Sequence, residues 1–145
     1  AQARENHYHL CVDSTCPIFM KDFSWFVPGG LDITAMEAGA QYLLGEHDFK
    51  SFCMAASAEG KPTHRNVREI SFHPETVMGE NLMSIKVVGN AFLHSMVRTI
   101  VGTLVMVGKG QRDADWVGEV LEACDRRVAG ENAPAQGLVF WRVIY

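Results

Sequence analysis

The sequence contains no Gly-x-Gly-x-x-Gly or phosphate-loop signature and so gives no support to a nucleotide-cofactor enzyme. Its four cysteines, Cys11, Cys16, Cys53 and Cys124, form no Cys-x-x-Cys pair, which argues against a zinc knuckle or a thioredoxin-type site. No apolar run reaches the roughly 18 residues of a membrane span, and no secretory signal is visible. A basic excess is missing too: the formal net charge is −4, which argues against a small, purely electrostatic nucleic-acid binder. Internal repeats, low-complexity stretches and linkers are absent. What remains is the composition of an ordinary folded domain, 48% hydrophobic and 21% charged over 145 residues. That length buries a full core without metal or disulfide staples and fits one domain or half of a larger one. Reduced, mostly buried thiols are expected, pointing to an intracellular protein.

Charge is unevenly placed. Residues 1–60 are strongly acidic, whereas 61–98 carry Lys61, Arg65, Arg68, Lys86 and Arg98 against Glu69, Glu75 and Glu80. This middle segment is where a phosphate-facing surface is to be sought, although scattered cations also solvate ordinary surfaces.

Periodicity predicts a strand over 7–12, with Tyr8, Leu10 and Val12 on one face and His7, His9 and Cys11 on the other. A helix follows over 33–44, capped by Asp32 and ended by Gly45. Residues 46–52 form a turn or short helix with Phe49 and Phe52 inward, and 54–62 make a mobile loop. Strands are expected at 65–73, with a bulge, and at 82–88, hairpin-paired across a connection over 74–81. Apolar residues at three- and four-residue spacing predict a helix over 91–107. Gly102 inside it costs roughly 1 kcal/mol relative to Ala, which suggests that another backbone presses close. A further helix spans 114–124 with Asp113 as cap, and after a loop around Pro134 a last strand spans 138–145. The expected fold class is α+β, a mostly antiparallel sheet flanked on one side by helices.

Four constellations bear on chemistry. On a helix, His94 and Arg98 share a face, and Asn90 lies at the helix start, placed for a backbone or ribose contact. Arg98 sits among Val97, Ile100 and Val101 with no acid on its own helix face. A buried guanidinium without an anion costs several kcal/mol, so its partner comes from elsewhere, either within the domain or across a cleft. Tyr8 is either a core residue or a cleft tyrosine that stacks on a base and transfers a proton. His7 and His9 point the same way on a strand but lack a third metal ligand, and a Cys53–His47 nucleophile pair lacks any visible activation of the thiol.

The segment NAFLHSMVRTIVGTL resembles the TruA-type tRNA pseudouridine synthases. LLGEHDFKSF, THRNVREISF and DRRVAGENAPAQGL support the resemblance in the same order, and together they cover nearly the whole chain. The likeness is to the C-terminal half of that family. The Arg-Thr-Asp-x-Gly-Val-His motif that carries the family's catalytic aspartate does not occur, so the chain is expected to be a fragment or a separately made domain.

The resemblance implies roles. Arg98 would pair with the aspartate across the cleft, Tyr8 would stack on the target uracil and assist proton removal, and Leu138 would pack near the base. Arg65 and Asn66 on one strand, with Asn90 and His94, would face the RNA. The implied reaction is isomerisation of uridine to pseudouridine in the tRNA anticodon stem–loop, without metal or cofactor. The aspartate attacks, the glycosidic bond breaks, the uracil rotates and a carbon–carbon bond forms. The implied partners are tRNA, the missing N-terminal half and a second copy of the protein, with no membrane; this chain alone would be inactive. The alternative is a non-catalytic RNA-binding or dimerisation module of the same fold.

Overall fold

The computed structural model describes residues 2–54, 56 and 59–145. The loop expected over 54–62 includes residues 55, 57 and 58, which lie outside the described residues. The elements run β1 (Ala3–Cys11), β2 (Trp25–Phe26), α1 (Ile33–Gln41), β3 (Gly45–Asp48), β4 (His64–Val77), β5 (Glu80–Gly89), α2 (Met96–Gly108), α3 (Asp115–Ala123) and β6 (Leu138–Ile144), with short 3-10 turns between them. The sheet order is β2-β1-β5-β4-β3, and β6 pairs with the same edge of β1 as β2 does. Among the described residues only the short β1–β2 pairing is parallel, so the expected α+β architecture with a mostly antiparallel sheet is found.

Alternation along the strands decides which face is covered. Tyr8, Leu10, Ile70, Ile85 and Val87 enter one hydrophobic core with Met36, Leu43, Ile100, Leu104, Val117 and Val120 of the helical layer. Their strand neighbours His7, Ser71, His73 and Lys86 are half-buried or exposed, the pattern of an antiparallel sheet with one wet face. Phe49 and Phe52 are fully buried, as their spacing implied.

β1 starts at Ala3 rather than at residue 7, and three further boundaries differ from expectation. The β4–β5 hairpin is longer, and the residues taken as its connection are mostly strand. Only Met78 and Gly79 turn, both at positive φ (51° and 79°), the geometry of a tight primed turn. Pro74 is tolerated in β4 because β3 pairs only with His64–Val67, so β4 is an edge strand at the proline. Second, α1 stops at Gln41; Asp32 caps it by accepting from Ala35 N at 3.0 Å. Third, α2 begins at Met96, not at residue 91. Ser95 is left-handed (φ 63°), and 90–95 is a loop whose Phe92 and Leu93 pack on the core without being helical. Pairing β3 and the two-residue β2 were not anticipated.

Close approach explains Gly102. A Cβ there would lie 1.7 Å from the Glu131 carbonyl oxygen, so the 130–134 loop presses directly on α2. The bulge expected in the first hairpin strand is a register shift between Val67 and Glu69.

Candidate active-site cleft

Arg98 stands in the first turn of α2, on the side where the 130–134 loop crosses. Its Nε donates to Ala133 O at 2.7 Å, while Ala133 N donates back to Arg98 O at 3.0 Å. The Thr99 hydroxyl lies 2.5 Å from Asn132 Oδ1 and 2.9 Å from Ser95 O, and Gly130 N donates to Thr103 Oγ at 3.0 Å. The loop is thus laced to one face of α2 over two turns. Among the described residues Arg98 makes no ion pair, and neither terminal guanidinium nitrogen meets a protein acceptor. It borders a cavity of about 280 Å³ together with Asn6, Leu93, His94 and Leu138. A half-buried guanidinium held by one carbonyl and aimed at open space retains its bidentate donors for an anion.

Tyr8 lies directly across from Leu138 in the β1–β6 register and next to Arg98. The expectation that its ring stacks on a base is not met in this structure: Tyr8 is fully buried, closed in by Gly137, where a Cβ would come within 2.6 Å of the ring. Its hydroxyl donates to Pro134 O. Burial pushes the phenol well above its ordinary range, while the Arg98 charge pulls the other way. Here Tyr8 holds the loop that fixes Arg98, and its own ring is covered.

The remaining expected residues divide. Leu138 is half-buried and lines the Arg98 cavity. His94 lines it too, but as an exposed loop residue; the shared helical face with Arg98 does not exist because the helix starts after it. Asn90 is likewise not at a helix start. Its Oδ1 accepts from Asn66 N at 3.0 Å and Ala91 N at 2.8 Å, so its amide oxygen holds backbone. Arg65, on β4 beside β3, does not line this cavity, and its Nη1 donates to Pro62 O and His64 O.

The two minor alternatives fare poorly. His7 lies 2.6 Å from Glu5 Oε2 and stacks on Trp141 at 4.4 Å. Cys53 is buried, which raises its thiol, and donates to Lys50 O, while His47 Nε2 lies 2.7 Å from Leu44 O; the two are not paired. The residues the sequence did not single out are Asn132, Ala133 and Pro134, which fix Arg98 and Tyr8. Their signal was indirect, a glycine inside an otherwise apolar helix.

The fold and cavity define an α+β domain with a half-buried arginine that makes no ion pair among the described residues. A family model described as tRNA pseudouridine synthase matches residues 40–145. A tRNA pseudouridine synthase A of Brevibacillus brevis is 43% identical over 141 residues, covering 95% of this chain and 55% of the relative. Those of a Geobacillus species (37% identical, 100% and 56% covered) and of Xanthomonas euvesicatoria (41% identical, 100% and 54% covered) are similar over the same extent. The chain belongs to the tRNA pseudouridine synthase family, and it spans about half the length of the curated relatives it matches.

Proposed function

We propose that this chain forms the C-terminal side of the cleft in which a tRNA pseudouridine synthase isomerises uridine to pseudouridine in the anticodon stem–loop. The observation that carries the reading is Arg98: fixed through Nε, half-buried, and without a carboxylate within ion-pair distance among the described residues. Such a cation suits a nucleophilic aspartate supplied by the rest of the polypeptide, with Leu138 on the apolar side of the same cavity to pack against the flipped base. Tyr8 positions the loop that fixes Arg98. The partners on this reading are tRNA, the N-terminal half of the enzyme and a second copy, and a tRNA substrate places the protein inside the cell.

Changing Arg98 to Ala in the whole enzyme tests the reading. Turnover is expected to fall at least a hundredfold, the scale of losing one preorganised electrostatic contact, with melting temperature changed by only a few degrees. Retained turnover would instead favour a module that binds RNA or a second copy and takes no part in the chemistry.

A further inference from the structure

Positive charge gathers at a second place, where the turn after β3 meets the turn after α3. Lys50, Arg126 and Arg127 border one open cavity of about 410 Å³ together with Asp125. Arg127 gives its Nε and Nη2 to Asp125, at 3.1 and 2.9 Å, and leaves Nη1 to the outside; its side chain is 90% exposed. Lys50 is exposed and has no ion pair among the described residues. Against the three cations stand Asp125 and Asp48, whose Oδ1 accepts from Lys50 N at 3.1 Å, which leaves a local excess of one positive charge on a chain whose net charge is −4.

The frame beneath is rigid. Ser51 Oγ donates to Val120 O at 2.6 Å and accepts from Asp125 N at 2.8 Å, locking the two turns together. Burial and the nearby Asp48 carboxylate raise the Cys53 thiol, and Lys50, Arg65 and Arg126 pull it the other way. The patch also joins the Arg98 cavity by two routes. Arg126 Nη2 reaches Asn132 Oδ1 at 3.4 Å, in the loop that holds Arg98, and Met54 N donates to the carbonyl of cavity-lining His94 at 3.4 Å.

We propose that Lys50, Arg126 and Arg127 form a contact site for the phosphodiester backbone of RNA, beside the Arg98 cavity. This rests on the RNA-substrate reading above. Outward guanidinium N–H groups and a free ammonium suit phosphate oxygens, and an open, shallow, positive surface suits an extended polyanion better than an enclosed small ligand. Arg65, whose guanidinium is turned to carbonyls, contributes to the field without making the contact.

The test is the salt dependence of binding of the whole protein to an unmodified anticodon stem–loop RNA. Each lost phosphate contact flattens the slope of log K against log salt by about 0.7–0.9. The double variant Lys50→Glu/Arg127→Glu is therefore expected to flatten it by about 1.5. A control with the same change of net charge, Lys21→Glu/Arg112→Glu, alters exposed cations outside the patch and is expected to keep the parent slope. Should the reversed pair melt early, Lys50→Gln/Arg127→Gln carries the same expectation. The parent slope in the patch variant, or an equal loss in the control, overturns this site while leaving the Arg98 reading standing. A parent protein that binds no RNA overturns both.

Discussion

Arg98 and Gly102 illustrate how a residue's role comes from what crosses it. Sequence spacing makes Arg98 an unpartnered cation, and the structure adds that Ala133 O fixes its Nε while the fork stays open. Gly102 one turn later is the condition for that arrangement, since any side chain there would strike the Glu131 carbonyl. Changing Gly102 to Ala should destabilise the protein by about 1–3 kcal/mol, the usual cost of overpacking, despite the roughly 1 kcal/mol gain in helix propensity. Thermal denaturation measures the first effect, and a loss of turnover larger than the loss of folded protein at the assay temperature reads the second, displacement of the loop from Arg98.

At the scale of elements, the strands and helices that bury a regular stripe were legible. The β1, β4, β5, α1 and α3 segments all appear where alternation or three-four spacing put them, with ends of β1, β4 and α1 shifted by three or four residues. Failures came where side-chain burial and backbone conformation part company. Phe92 and Leu93 are apolar and packed, which counted toward helix 91–107, yet the chain there is loop and reaches helix only past a left-handed Ser95. That error also gave His94 a helical face it does not have; the cleft position of Tyr8 came instead from the family resemblance, and its ring is sealed by Gly137. Pro74 suggested a connection, and only knowledge of where β3 ends shows why a strand continues through it. The hairpin offers its own check. Met78 adopts φ 51° in a two-residue turn and is 70% exposed, so its side chain gains little and its backbone is in a costly region. Met78→Asn should stabilise the fold by about 0.5–1 kcal/mol, seen as a raised denaturation midpoint with unchanged m-value.

For the molecule as a whole, the match to about half of each relative and the open arginine lead to one expectation. On the proposed reading, these 145 residues, folded and mixed with unmodified tRNA, should convert no uridine above background, because Arg98 has no carboxylate within ion-pair distance among the described residues. A tritium-release or mass-shift assay checks it, and measurable conversion would mean the chain carries a nucleophile of its own.

Ala133 and Pro134 are adjacent, and their carbonyls grip Arg98 and Tyr8 respectively. A small displacement of that peptide therefore moves a charge and a phenol in concert. Random mutagenesis should find the stretch from 130 to 134 as intolerant as the cavity walls, even though none of its side chains has to reach the substrate.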